Sequence, residues 1–247
     1  MHIHTKHSDG TASVKKLMDY VRDETDLSVI SVTDHNKMDG AIEAKAMERS
    51  YPFEVVLGEE VESSEGHILG LYIEERIPPE RPAKWTVAAI REQGGLAILA
   101  HPFSPDTLSK SGLCNGFEAL TSGAVFDAIE VYNSMPLLVR ANLLARHYAF
   151  ATGDVAMVGG SDAHALRAVA QAYTLFEGTS ATDLYQAILR HRTCAMHRPW
   201  VLGESLKYAA SYPFMRRNRW LNKRAAQAAT PAAAGAADTL APRRRAK

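Results

Sequence analysis

Leu27-Ser28-Val29-Ile30-Ser31-Val32-Thr33-Asp34-His35 is a short apolar run that ends abruptly on polar, ligand-type side chains. The same grammar recurs along the 247 residues. Phe53-Glu54-Val55-Val56-Leu57 leads to Gly58-Glu59-Glu60, Leu96-Ala97-Ile98-Leu99 to Ala100-His101-Pro102, and Val155-Ala156-Met157-Val158 to Gly159-Gly160-Ser161-Asp162-Ala163-His164. Short runs rich in Val, Ile and Leu that alternate with helix-like segments predict parallel strands buried on both faces. The chain therefore reads as α/β, and polar residues at the carboxyl ends of such strands are where an α/β barrel builds its active site.

The helical segments are expected at Thr11 to Asp23, Asp39 to Arg49, Ala83 to Glu92, Pro136 to Ala151 and Thr182 to His191. The first opens on Thr and Ser capping candidates and buries Val14, Leu17, Met18 and Val21 at helical spacing. Gly94-Gly95 stops the third. Phe126 to Asn133 and Val169 to Phe176 read as further strands.

Six of the ten histidines, two aspartates and a glutamate gather in the patches that follow these runs, in His2-Ile3-His4 with Ser8-Asp9-Gly10, and in Gly66-His67. On an extended strand, side chains two apart share a face, so His2 and His4 project together while Ile3 points the other way. Asp162 and His164 repeat that spacing. Imidazole and carboxylate donors without thiolate suit Mn, Fe or Zn in a hydrolytic site. A purely structural role would require six buried histidines at equivalent strand ends, each with its own hydrogen-bond partner, which is a poor alternative.

Taken together, His2-Ile3-His4-Thr5 with Ser8-Asp9-Gly10, Thr33-Asp34-His35-Asn36, the Gly-x-Glu ending in Glu60, the strand His67-Ile68-Leu69-Gly70-Leu71, Ala100-His101-Pro102 and Ser161-Asp162-Ala163-His164 resemble the polymerase and histidinol phosphatase (PHP) family. The likeness runs in order from residue 2 to about residue 195. It implies a distorted seven-stranded, TIM-like β/α barrel that holds about two to three divalent ions (Mn, Fe or Zn) and hydrolyses phosphate esters. By that resemblance His2, His4, Glu60 and Asp162 hold one ion, and Glu60 bridges to a second held by His67 and His101. Asp9, His35 and His164 hold the third, and Glu60, Asp162 and His164 carry the catalytic roles. The family's pattern selects Glu60 over Glu59, and the strand period then puts Glu59 on the opposite side of the chain.

The chemistry such a centre supports needs no Ser or Cys nucleophile, because paired ions can lower the pKa of a shared water to about 7. No protein general acid stands out. Arg167, three residues after His164, is the expected phosphate clamp, since guanidinium pairs with phosphate in two-pronged fashion. Asn133 and Lys6 are further candidates for substrate contact. His147, His191 and His197 read as ordinary residues. Only 33 residues separate His67 from His101, too few for the inserted domain some relatives carry there, so an open pocket is expected. Only Met1 precedes His2, so the strand bearing that pair is expected to be short unless the chain begins further upstream.

Lys and Arg balance Asp and Glu at 28 each, but the balance is uneven along the chain. From Arg216 onward nine basic residues face one aspartate, and residues 1–215 carry 19 against 27. An acidic body argues for a small phosphate ester as substrate, such as a nucleotide or sugar phosphate, over a short oligonucleotide or cyclic phosphodiester, which stand as the alternative. Cys114 and Cys194 have no CxxC partner and read as reduced thiols. No run reaches the eighteen or so apolar residues of a membrane span, and a ligand at position 2 leaves no room for a cleavable leader, so the reading is a cytoplasmic protein without a membrane partner.

The expected organisation is a barrel over 1–197, a C-terminal packing segment over 198–224 with Trp200, Tyr208, Tyr212, Phe214 and Trp220, and a disordered Ala-rich basic tail over 225–247. Because every expected ligand precedes residue 165, the chain from Arg216 onward is expected to be dispensable for small substrates, with a cut after Arg224 as the safer version.

Overall fold

In the computed structural model, which describes residues 1–104, 115–135, 138–198, 200 and 202–229, six strands lie side by side in chain order in one sheet. After α1 (Val14–Glu24) comes β1 (Val29–Val32), which pairs in parallel with β2 (Glu54–Ser63) across α2 (Asp39–Met47). β2 then turns back at Ser64 and Glu65 into β3 (Gly66–Leu71), with Gly58 opposite Leu71 and Ser63 opposite Gly66. So tight a turn cannot make the crossover a parallel pair needs, so β3 is antiparallel to β2, and also to β4 (Leu96–Leu99), which follows α3 (Ala83–Glu92). The reversal is confined to β3, so the four apolar runs expected as parallel strands keep one direction. Parallel pairing resumes through β5 (Ala128–Asn133) and β6 (Ala156–Gly160), with α4 (Asn115–Thr121) before β5 and α5 (Val139–Thr152) between the two strands.

The two edges of this curled sheet meet through residues 2–4. The Ala163 amide donates to the His2 carbonyl and the His4 amide to the Ala163 carbonyl, while the Thr33 amide donates to Ile3 on the other side. Ile3 thus forms one isolated bridge with Ala163 rather than a full strand. The period of two holds here: Ile3 packs into the cluster of Val14, Leu17, Met18, Val21, Ile30 and Val32, and His2 and His4 face the other way. Each such fully buried aliphatic is worth about 1.5–3 kcal/mol, so the apolar face of α1 is what anchors the His2 and His4 backbone.

Val169 to Phe176 was expected as a strand of the barrel. β7 (Ala172–Phe176) instead pairs antiparallel with β8 (Thr193–His197), across α6 (Ala181–Leu189), as a separate two-stranded sheet. Ser180 caps α6 by accepting from the Asp183 amide, and Asp183 accepts in return from the Ser180 amide. The last element, α7 (Leu202–Ala229), is a single helix that contains Pro213 and buries Tyr208 and Met215 in the same cluster as Ile3. Residues 225–229, expected to lack structure, continue α7, whereas 230–247 and Cys114 lie outside the described residues. Cys194 is an exposed free thiol. Among the described residues no helix is long and apolar enough to cross a membrane.

Candidate metal centre

The nine residues singled out by spacing and resemblance converge at one end of the sheet. His2 and His4 come from the edge-joining segment, Asp9 from the loop after it, and His35 follows β1. Glu60 sits within β2, His67 in β3, His101 just past β4, and Asp162 and His164 just past β6. The hairpin explains an apparent oddity of the sequence: because β2 and β3 run in opposite directions, His67 near the start of its strand stands opposite Glu62, diagonal to Glu60 in mid-strand, and its ring reaches Glu60 Oε1 at 2.9 Å.

Glu60 is the hub. Its Oε2 lies 3.1 Å from His35 Nδ1, 3.3 Å from His4 Nε2 and 3.4 Å from His2 Nε2. Its Oε1 faces a different pair, His67 Nδ1 at 2.9 Å and His101 Nε2 at 3.1 Å. Asp162 Oδ1 stands 3.1 Å from His4 Nε2 and 3.4 Å from both His2 Nε2 and His164 Nδ1. Asp9 closes the far side, 3.1 Å from His164 Nε2 and 3.7 Å from His35 Nε2. Four overlapping sets place one donor atom per residue within 4.8 Å of the others: His4 with Asp9, His35 and His164; His2 with Glu60 and His101; His2 with His4 and Asp162; and His35 with Glu60 and His67. This grouping is more interwoven than the resemblance implied, since His4 also joins the Asp9 set and His35 also joins the Glu60 and His67 set.

A test of fit to metal ions comes from atoms that nothing else satisfies. His2 Nε2, His4 Nδ1, His35 Nδ1, His101 Nδ1 and Glu60 Oε2 are buried without a hydrogen-bond partner, a costly arrangement for polar atoms unless a cation takes them up. Tautomers agree. A carboxylate only accepts, so His2 must carry its proton on Nδ1, which donates to Glu130 Oε1 at 2.8 Å and leaves the Nε2 lone pair facing Glu60 and Asp162. His164 Nδ1 likewise donates to the Asp162 carbonyl at 3.0 Å and turns Nε2 inward. The donor set fits divalent ions.

The backbone is bent to present these groups. His2, His101 and Asp162 have φ of 65°, 28° and 48°, a region that side chains other than glycine enter at about 1–2 kcal/mol each. Electrostatics follow from burying so many ionisable groups together. Burial favours protonated Glu60 and Asp162, but the surrounding imidazoles outweigh it and hold both carboxyls well below the usual range. For His2 burial opposes the charge, and Glu130, Asp162 and Glu60 overcome it and raise the pKa. Burial wins at His35, which drops to about 4, whereas Asp9 and Asp162 overcome it and bring His164 up to about 9. The carboxylates thus draw protons onto some rings but not all, a demand for positive charge that metal ions would meet.

Residues that sequence reasoning passed over complete the centre. Glu130 accepts from His2, from the His101 amide at 3.0 Å and from Asn133 Nδ2 at 2.9 Å, and Gly160 is what lets it in, since a Cβ there would sit 1.9 Å from its Oε1. Asp34 accepts from the Thr5 amide and hydroxyl, both at 2.7 Å, and from the Ser8 hydroxyl, which shapes the loop that carries Asp9. Thr11, expected to cap α1, instead donates its hydroxyl to the His164 carbonyl at 2.9 Å. The signals for Glu130 and Asp34 were present in the sequence as acids beside strand ends, but nothing local shows which buried partner each would take.

The remaining candidates sit differently. Asn133 is fully buried and its amide nitrogen donates to Glu130 and to Asp162 Oδ2 at 3.1 Å. Glu59 points away from the centre and accepts from the Ile77 amide, and burial pushes its carboxyl up to about 7. Arg167 lies exposed in the short turn Leu166–Ala168. Lys6 is exposed and lines a cleft of about 490 Å³ between its loop and α7, with Ser211, Phe214 and Arg217 on the other wall. His147 and His191 are exposed, and His197 stacks on Tyr132.

The stretch from Arg216 onward meets the centre after all. Asn218 and Asn222 of α7 donate to the carbonyls of Gly10 and Ser8, on either side of Asp9, and Arg219 Nη2 donates to Glu62 Oε1 at 3.0 Å. Lys37 bridges Asn222 and the His7 carbonyl. The expectation that this stretch is dispensable is therefore narrowed to the part beyond Arg224.

Comparison with known proteins places these features in context. A family model described as PHP-associated matches residues 139–193. An uncharacterized protein of Methanocaldococcus jannaschii is 35% identical over 144 residues, 54% of this chain and 80% of that protein. Among solved structures, a two-domain protein from Bacteroides vulgatus containing a predicted PHP-like metal-dependent phosphoesterase superposes with a TM-score of 0.61 at 16% identity, covering 80% of this chain and 63% of the other. A putative metal-dependent phosphoesterase from Bifidobacterium adolescentis gives 0.54 at 17% identity, covering 82% and 96%. A lesion-specific endonuclease from Pyrococcus furiosus gives 0.52 at 15% identity, covering 77% and 55%. At these identities the structural likeness is one of fold.

Proposed function

The chain belongs to the PHP domain family, and on that premise we propose that it is a metal-dependent phosphoesterase acting on a small phosphomonoester, of the nucleotide or sugar phosphate class. The observation that carries this reading is the divided carboxylate of Glu60, whose two oxygens face separate groups of imidazoles at 2.9–3.4 Å. A carboxylate divided in this way would hold two neighbouring cations, one at each oxygen. His2, His4 and Asp162 would hold one divalent ion with Glu60, His67 and His101 a second, and Asp9, His35 and His164 a third, with Mn, Fe and Zn all compatible with the donors. Bound there, the ions would supply Lewis acidity toward a phosphoryl oxygen and lower the pKa of the attacking water to about 7.

The chain's own residues prepare that chemistry. Glu60, Asp162 and Asp9 are held ionised at neutral pH by the imidazoles around them. Glu130 and the Asp162 carbonyl fix two ring orientations, so donor atoms need not reorganise when substrate arrives. His35, His67 and His164, 11–12% exposed, are the most open rings of the cluster and mark the mouth. In the same reading residues 1–4 take the place of a seventh strand and residues 1–197 make up the catalytic barrel.

A nuclease or cyclic-phosphate diesterase using the same centre is the second reading. The specific observation in its favour is α7, whose Arg219 pairs with Glu62 beside the centre while Arg217 lines the cleft next to Lys6. Phosphate release by the Mn-loaded protein from nucleotides, sugar phosphates, cyclic phosphates and short RNA separates the two. Turnover of monoesters alone supports the first reading, and cleavage of RNA or cyclic phosphates without monoesterase activity supports the second.

A further inference from the structure

Arg167, the expected phosphate clamp, lies exposed on the turn Leu166–Ala168, and α7 carries a second arginine to the edge of the centre. Arg219 makes its ion pair with a carboxylate bordering the centre: its partner Glu62 lies two residues beyond Glu60 in β2, and the same Glu62 Oε1 stands 3.7 Å from His35 Nδ1. The guanidinium is thus separated from a metal-ligating imidazole by one carboxylate oxygen. Burial works against its charge, yet Glu62, Asp9 and Glu60 outweigh that effect and raise its pKa further. The side chain nonetheless remains 45% exposed, on the solvent side of the mouth.

Its position is registered, not incidental. Asn218 and Asn222 lie one turn apart on the face of α7 that meets the loop around Asp9, and their side chains hold the Gly10 and Ser8 carbonyls. Arg219, one residue on from Asn218, is rotated by about 100° from that face and so projects from the flank turned toward Glu62. The helix is fixed to the same loop that supplies a metal ligand, and the guanidinium moves with it.

We propose that Arg219 is the phosphate-binding arginine of this site, parked on Glu62 until a substrate phosphate enters the mouth and takes over the guanidinium. The inference rests on the phosphoesterase reading above. Exchange of one carboxylate oxygen for a phosphate oxygen suits a planar fork of donors, because a dianion offers more charge and a second acceptor in the same plane. Glu62 then acts as a counterion that keeps the arginine extended and lowers its affinity for other anions.

The test is calorimetric titration of inorganic phosphate into the Mn-loaded full chain and its Arg219→Gln, Arg219→Lys, Glu62→Gln and Glu62→Gln/Arg219→Gln variants, with metal content counted in each. Arg219→Gln should weaken phosphate binding by about tenfold, the worth of a charge-assisted hydrogen-bond pair, and Arg219→Lys should recover part of the loss. Glu62→Gln should tighten binding by roughly two- to fivefold, the scale of a half-exposed ion pair, and that gain should vanish in the double variant. A purely structural ion pair predicts no gain on removing Glu62. Unchanged phosphate affinity in Arg219→Gln at full metal content, or no gain in Glu62→Gln, would overturn the proposal. If the Mn-loaded wild type neither binds phosphate nor hydrolyses any ester, it is the phosphoesterase reading that fails, and this inference falls with it.

Discussion

Nδ1 of His2 stands 2.8 Å from Oε1 of Glu130, and both side chains are buried away from solvent. That contact decides which nitrogen of His2 faces the centre. It also explains why Gly160 lies beside them, because any side chain there would occupy the carboxylate's place.

Glu130→Gln should therefore leave the fold intact and weaken metal binding by roughly tenfold to a hundredfold, the usual effect of removing a carboxylate behind a ligating histidine. Competition with a chromophoric chelator measures it. Wild-type affinity in the variant would show that the His2 orientation is set by something else.

Gly160→Ala attacks the same contact from the backbone side, with its Cβ 1.9 Å from Glu130 Oε1 and 2.9 Å from His2 Cβ. Overpacking of this kind costs about 1–3 kcal/mol, and the displaced carboxylate should lower metal affinity as well. Thermal unfolding with and without Mn reads both effects, and a variant as stable and as metal-avid as wild type would contradict the packing described.

Neighbouring acids should behave oppositely. Glu60→Gln should lose bound metal and nearly all hydrolysis, because both of its oxygens face imidazoles of the centre. Glu59→Gln should keep most activity, since an amide oxygen can still accept from Ile77, with a stability change within about 1 kcal/mol. Reversed phenotypes would mean that Glu59 is the ligand.

These sites show what the sequence made legible. Seven of the nine candidate ligands stand out because they follow an apolar run or sit at a spacing of two, both local patterns, whereas Asp9 and His67 do neither and enter only through the resemblance. The antiparallel place of β3 was hidden: its apolar residues look like those of any buried strand, and only the short turn at Ser64 and Glu65 sets its direction. β7 misled for the same reason, as its partner β8 carries a mixed, half-buried sequence with no strong period. Glu130 and Asp34 act through partners 128 and 29 residues away, which no spacing rule reaches. Pro213 and the Ala-rich run after Arg224 disguised α7, a helix held by Tyr208, Met215 and the two asparagines more than by its own pattern.

Truncation separates these parts of α7. Ending the chain after Arg224 should leave turnover of a mononucleotide unchanged within about twofold, under half a kcal/mol. Ending it after Met215 removes Asn218, Arg219 and Asn222 and should raise KM and loosen the loop that carries Asp9. Steady-state kinetics on the two truncated chains checks this, and equal activity in both would show that α7 does not support the site.

The central claim is that the cluster around Glu60 is a working metal centre. The most direct test follows phosphate release from p-nitrophenyl phosphate by chelator-stripped protein as Mn is added back, with bound metal counted in the same samples. The account predicts no turnover without metal and full turnover once about two to three ions are bound per chain. Hydrolysis that persists in metal-free protein, or saturating Mn that binds nowhere on the chain, would contradict it.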